Sequence, residues 1–115
     1  MRDQTLETVM AKIRSVFPNR PESEIFTQLQ AYGVESYEHE KHRVYLAILK
    51  LCEEEHSTDP MRYIDAAKRD YRDVLYWAEY PNEAKSPTWK EKDPEKIKKI
   101  RKLDREQYNN WLSKT

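Results

Sequence analysis

The chain contains one glycine, Gly33, in 115 residues, so few positions allow the tight turns that a β-sheet requires. Charged residues and hydrophobic residues each make up 37% of the sequence. That balance suits helices that bury one face and expose the other to solvent. We therefore expect an all-α protein, and its length allows one hydrophobic core.

Apolar residues at spacings of three and four predict two helices near the start of the chain. The first covers about 4–16, with Thr5 as its N-cap and Pro18 beyond its end. The second begins at Pro21, because a missing N–H is harmless in the first turn of a helix. Gly33 lies where a left-handed residue would close the second helix.

A helical hairpin is predicted in the middle of the chain. The third helix covers about 36–55. The fourth has Asp59 as its N-cap and Pro60 in its first turn, and it extends to Glu79. We expect these two helices to be antiparallel neighbours. A fifth helix begins at Pro94.

The sequence divides into three parts. Residues 1–81 form a small antiparallel bundle of four helices, 82–93 form a linker, and 94–115 form a basic C-terminal helix. The whole chain has no net charge, but residues 84–115 carry a net charge of +5 and residues 1–83 a net charge of −5. Opposite charges predict that the tail packs on the body, and a tail that binds a partner is the alternative.

The fourth helix carries the candidate partner-binding residues. Residues 66–81 read AAKRDYRDVLYWAEYP, with apolar residues on one face and charged residues around it. Three aromatic residues near its end cannot all face one core, so at least one should be exposed. Exposed aromatic residues beside arginine are typical of protein interfaces, although packing beneath the linker or the fifth helix is the alternative. The candidates are Arg69, Asp70, Arg72, Asp73, Tyr76, Trp77 and Tyr80.

The C-terminal helix is an alternative binding site, for nucleic acid. Its lysine and arginine residues are interleaved with aromatic residues, a pattern that favours nonspecific binding to phosphates and bases. The candidates are Lys96, Lys98, Lys99, Arg101 and Lys102. A helix-turn-helix around Gly33 is disfavoured. The first six residues of its recognition helix, 35–40, include three glutamates, which would repel the phosphates of DNA.

Few residues favour catalysis or metal binding. His39 and His42 have the spacing of a ligand pair, but His56 lies at the far end of the same predicted helix. Cys52 belongs to an apolar run and precedes three glutamates, which makes its thiolate scarce. The sequence has no glycine-rich phosphate loop. We expect no enzymatic activity, no metal and no cofactor, and we expect Cys52 in the core.

One arginine is predicted to set the register of the hairpin. A turn centred near Ser57 would bring Arg43 opposite residues 71–73. A bidentate salt bridge from Arg43 to Asp70 or Asp73 would then fix the two helices against each other.

Several strings within residues 6–81 resemble a family of small uncharacterised bacterial proteins. They are Tyr32-Gly33-Val34, His42-Arg43-Val44, Leu46 to Leu51, Ala67 to Leu75 and Ala78 to Pro81. The chain departs from the family pattern at residues 53–58, where a shorter turn with a glycine is expected, and beyond Pro81. The resemblance implies no activity, cofactor or partner.

The N-terminal residues lack the apolar core of a signal peptide, and no window approaches the roughly 18 apolar residues of a spanning helix. With one cysteine and no disulfide framework, these features predict a soluble, cytoplasmic protein with no membrane partner. We expect a non-catalytic protein-interaction or regulatory module that binds another protein or a second copy of itself. Nonspecific nucleic-acid binding through the tail is the alternative.

Overall fold

The computed structural model describes residues 5–56, 59–85 and 93–114, and within these ranges it contains six helices and no strand. The helices are α1 (Leu6–Val16), α2 (Glu22–Leu29), α3 (Lys41–Glu55), α4 (Met61–Glu79), α5 (Pro81–Lys85) and α6 (Pro94–Ser113). The predicted all-α fold is confirmed.

The helix α3 lies at the centre of the fold. Every residue from Val44 to Cys52 is buried, so α3 contacts neighbours on more than one side. It packs against α4 and α1, whose buried residues join it in one hydrophobic core. The prediction that Cys52 is a core residue is confirmed, and burial raises the pKa of its thiol to about 12.

The helices α3 and α4 form the predicted antiparallel hairpin. Near the turn, the Arg62 guanidinium lies 3.3 Å from the Glu55 carboxylate. At the open end, Arg43 Nε and Nη2 donate to the two carboxylate oxygens of Glu79 at 2.8 and 2.6 Å. The bidentate pair at the open end therefore fixes the register of the two helices, while the exposed pair near the turn contributes little.

The predicted bridge from Arg43 to Asp70 or Asp73 is wrong, because Arg43 pairs with Glu79 and Glu40 instead. The two helices are not paired residue for residue: from Arg62 to Glu79 the helix α4 has five residues more than α3 has from Arg43 to Glu55. Asp70, where α4 is interrupted, is paired with Arg72 instead.

The connection from α2 to α3 is a loop folded around one carboxylate. Glu38 Oε1 accepts hydrogen bonds from the backbone N–H groups of Gly33, Val34 and Glu35 at 3.0, 3.0 and 3.1 Å. Gly33 has a φ of +100°, a left-handed conformation that glycine adopts easily and that allows the loop to turn here. The residue lies beyond the end of α2, which is at Leu29. Gly33 therefore shapes the loop rather than closing the helix, and α3 begins at Lys41, later than predicted.

The last two helices pack on the body. Residues 81–85, mostly assigned to the linker by the sequence, form α5, while 86–92 lie outside the described residues. The buried Asp104 of α6 accepts hydrogen bonds from the backbone N–H groups of Asn82 and Glu83 at 2.9 and 3.1 Å. Tyr108, Trp111 and Leu112 of α6 are buried in the core. The helix α6 therefore packs on the body, as predicted, through these buried contacts. The division into bundle, linker and tail stays a prediction.

A buried lysine connects the first helix to the last. Lys12 of α1 is 1% exposed, and its ammonium donates to the backbone carbonyl oxygens of Trp111 and Lys114. The same ammonium lies 4.3 Å from the centroid of the Trp111 ring. Because the last carbonyl groups of a helix have no partner within it, Lys12 caps the C-terminal end of α6.

Among residues 5–56, 59–85 and 93–114, none of the helices is both long enough and apolar enough to span a bilayer.

Candidate functional site

The helix α4 consists of two shorter helices that meet at Asp70. The backbone of Asp70 is extended, with φ −159° and ψ 103°, so the second helix begins at Tyr71. Asp70 Oδ1 accepts a hydrogen bond from the backbone N–H of Arg72 at 3.0 Å, which is the contact of an N-cap. The Arg72 guanidinium also donates to both Asp70 oxygens at 3.0 Å. Residues 71–79 therefore form a helix with its own start.

The second half of α4 presents one exposed face. Its buried residues are Val74, Leu75, Ala78 and Glu79. At about 100° per residue, the exposed residues fall within an arc of roughly 140° on the opposite side. We call this surface the aromatic face; it consists of Arg72, Asp73, Tyr76, Trp77 and the C-cap residue Tyr80.

The three aromatic side chains of this face are exposed to a similar degree. Tyr76 is 38% exposed, Trp77 42% and Tyr80 36%. The Tyr76 and Tyr80 rings stack with their centroids 6.1 Å apart and an angle of 28° between their planes. Single exposed apolar residues are ordinary on protein surfaces, whereas three large aromatic residues side by side are typical of a binding surface.

Trp77 borders a groove of about 690 Å³ between α3, α5 and α6. Lys50 and Glu54 of α3 line one side of this groove, and Gln107 of α6 lines another. The aromatic face therefore continues into a concave region, which suits the side chains of a partner.

Two of the predicted partner-binding residues lie beside the aromatic face and not on it. Arg69 and Asp70 line a cavity of about 240 Å³ at the break in α4, and Arg72 of the aromatic face lines it too. The buried Glu38 carboxylate also lines this cavity, and its Oε2 lies 3.6 Å from the Lys68 ammonium. Because the Arg72 guanidinium binds both oxygens of Asp70, Asp70 borders the aromatic face, whereas Arg69 faces the cavity alone.

Arg101 of α6 lies at the junction of α5 and α6. Its Nη2 lies 3.6 Å from Glu83 Oε1, and Glu83 comes three residues after Tyr80 of the aromatic face. Burial is the main cause of the raised pKa of Tyr76, and Glu83 and Asp104 raise it further.

The basic residues of α6 form two groups. Viewed along the axis of α6, four of them fall within an arc of roughly 100°, next to the side of the helix that packs on the body. We call this set the basic row; it consists of Lys98, Arg101, Lys102 and Arg105. Lys96 and Lys99 lie outside this arc and are exposed on another side of α6. The predicted nucleic-acid residues therefore do not form one cluster.

The two histidines weighed as metal ligands have aromatic neighbours. His39 lies outside α3, with its ring 6.1 Å from that of Tyr71, and the His42 ring is 6.2 Å from that of Tyr45. In the part of the chain that the structure describes, no three His, Cys, Asp or Glu side chains are grouped as metal ligands.

Three residues with defined roles near these surfaces were missed by the sequence analysis. Glu79 and Asp104 are buried acids that hold the open end of the hairpin and the start of α5. Arg105 completes the basic row. The helical spacing of Arg105 from Lys98 and Arg101 could have placed it in the same row. The burial of Glu79 and Asp104 results from contacts between segments distant in sequence, so no signal in the sequence indicates it.

Comparison with protein-family models, with curated proteins and with solved structures found no match for this chain. The resemblance to a family of small bacterial proteins therefore stays a prediction.

Proposed function

We propose that this protein is a non-catalytic interaction module that binds another protein, or a second copy of itself, through the aromatic face. The observation that carries the proposal is the group of three exposed aromatic side chains on the second half of α4. Tyrosine and tryptophan contribute large contact areas with little conformational freedom to lose, so they are frequent anchors of protein interfaces. A cytoplasmic location is part of the same proposal.

The surroundings of the aromatic face also favour a protein as the ligand. Arg72 and Asp73 carry opposite charges, which allows hydrogen bonds of both polarities at the edge of an apolar contact. The groove beside Trp77 is lined by charged and amide side chains, among them the ion pair of Lys50 and Glu54 on its α3 side and Gln107 on its α6 side. Such a mixed surface suits a polypeptide better than a uniformly anionic polymer.

A site-specific photocrosslinker tests the proposal. A benzoylphenylalanine residue would replace Trp77 in the full chain, which is then irradiated in a lysate of the source cells after nuclease treatment. The matched control replaces Leu103, an apolar residue of α6 that is 44% exposed outside the aromatic face. We expect a protein adduct, or a covalent dimer, from position 77 and none from position 103. Equal adducts from both positions, or none from position 77, would overturn the proposal.

A further inference from the structure

We propose that the aromatic face and the basic row form one continuous binding surface, and that its occupant is an acidic segment of a partner protein. This inference rests on the proposed function and specifies the chemistry of the partner.

The two surfaces are held side by side by buried contacts. The short helix α5 follows α4 directly, and Asp104 of α6 accepts hydrogen bonds from the first residues of α5. Arg101 lies one helical turn before Asp104, so the same anchor places Arg101 beside Glu83 of α5. Because Glu83 comes three residues after Tyr80, Arg101 is the residue of the basic row that adjoins the aromatic face.

The basic row keeps hydrogen-bonding capacity for a ligand. The closest acid of Lys98 is Glu95, at 4.0 Å, and that of Lys102 is Glu106, at 3.9 Å. These distances exceed those of hydrogen bonds, so the ammonium groups retain donors that can bind carboxylates. Arg105 has no ion pair among the described residues.

An acidic polypeptide fits this combination better than a nucleic acid does. Carboxylates along one edge of such a segment can pair with the basic row, while its apolar side chains cover Tyr76 and Tyr80. Asp73 of the aromatic face can accept hydrogen bonds from the backbone N–H groups of a peptide, and a sugar-phosphate backbone has no such donors.

Selection from a phage-displayed library of random peptides tests this inference with the full chain as bait. We expect the enriched peptides to contain several acidic residues together with aromatic or aliphatic ones. A synthetic copy of the most enriched peptide then serves as the probe for affinity measurements by fluorescence anisotropy.

Matched double charge reversals locate the acidic segment. We expect the double variant Lys98→Glu and Arg105→Glu to bind the probe roughly 10- to 100-fold more weakly than the unmodified protein. The control, Lys96→Glu with Lys99→Glu, makes the same change of charge outside the basic row, and we expect less than about a twofold effect. Circular dichroism and thermal melts verify that both variants remain folded.

The outcomes separate this inference from the proposed function. If enriched peptides lack acidic residues but lose binding on Tyr76→Ala, the acidic occupant is wrong and the aromatic face still binds protein. If no enriched peptide depends on Tyr76, both proposals are wrong. Tighter binding of a fluorescent oligothymidylate than of the peptide, lost in the Lys98→Glu and Arg105→Glu variant, would identify the occupant as nucleic acid and overturn the inference.

Discussion

Glu38 organises the loop before α3 through a single carboxylate oxygen. Three backbone N–H groups donate to Oε1, and the side chain is 1% exposed. Burial by itself would raise the pKa of this carboxyl group, but the three N–H donors and the nearby Lys68 ammonium together hold it below its usual value. The ionised carboxylate is thus a structural element of the loop.

The substitution Glu38→Gln tests this role at the scale of one residue. Because the folded-state pKa of Glu38 is lowered, its contribution to stability is present above the unfolded-state value near 4.5 and is lost as the pH falls through the folded-state value. We expect the variant to be less stable at pH 7 by about 1–2 kcal/mol, with the difference shrinking below about pH 4. Urea unfolding at several pH values measures this. A difference that is constant across the range would contradict the prediction.

The pair of Arg43 and Glu79 gives a second prediction at this scale. The guanidinium is about one third exposed and the carboxylate is buried, so breaking the pair leaves a buried charge without its partner. We expect a double-mutant cycle with Arg43→Met and Glu79→Gln to give a coupling energy of about 1–3 kcal/mol.

The matched control for this cycle pairs Arg43→Met with Asp73→Asn. Asp73 was one of the two partners that the sequence suggested, and we expect its coupling to Arg43 to be below about 0.5 kcal/mol. A larger coupling to Asp73 than to Glu79 would show that the register of the hairpin is different from the one described.

At the scale of helices, local signals predicted the starts of several elements. Thr5 caps α1 through its hydroxyl, as expected. The Asp59 carboxylate accepts from the backbone N–H of Met61, but Pro60 occupies the N-cap position and α4 begins at Met61, one residue later than predicted. The break at Asp70 was missed because the apolar spacing continues across it, although aspartate is itself a preferred N-cap. The partner of Arg43 was missed because it is set by how α3 and α4 pack, which helical spacing within one segment does not show.

The contact between α5 and α6 was beyond sequence analysis for a related reason. Helical periodicity identified α6, but residues 82–85 of α5 were assigned to a linker. Asp104 lies within a basic helix and gives no sign of being buried, since its partners are backbone groups of residues 82 and 83 and the side-chain amide of Asn82, all distant in sequence. Backbone donors carry no sequence signature, so this anchor becomes visible only in the folded chain.

The substitution Asp104→Ala tests how α6 is anchored. It would leave two backbone N–H groups of α5 without their acceptor in a buried place, so we expect a loss of about 2–3 kcal/mol in stability. The rate of backbone amide hydrogen exchange should increase in residues 81–85 and 94–114 more than in α3. The control Asp104→Asn keeps one carbonyl oxygen as an acceptor, so it should lose less stability. Equal exchange in both variants would contradict this role of Asp104.

At the scale of the whole molecule, the opposite charges of body and tail are not what holds α6. The contacts of α6 with the body involve Tyr108, Trp111 and Leu112, together with the buried side chains of Asp104 and Lys12. Buried contacts of this kind are screened far less by salt than exposed ion pairs are.

We therefore expect α6 to stay docked at high ionic strength. Raising sodium chloride to about 1 M reduces the Debye length to about 3 Å, which removes attraction between exposed charges. The fluorescence of Trp111, measured in a variant with Trp77 and Trp89 replaced by phenylalanine, should keep its emission maximum. A shift to longer wavelength on adding salt would mean that charge attraction holds the helix.

The contact between Lys12 and Trp111 also has a consequence for the order of events during synthesis. It joins residues that are 99 positions apart, so it forms only after α6 has been made, whereas the α3 and α4 hairpin can form from neighbouring segments. The aromatic face is present once α4 has folded, but the basic row reaches its place only with α6. A partner that requires both surfaces would bind chains that include α6 and would pass over nascent chains that stop before it.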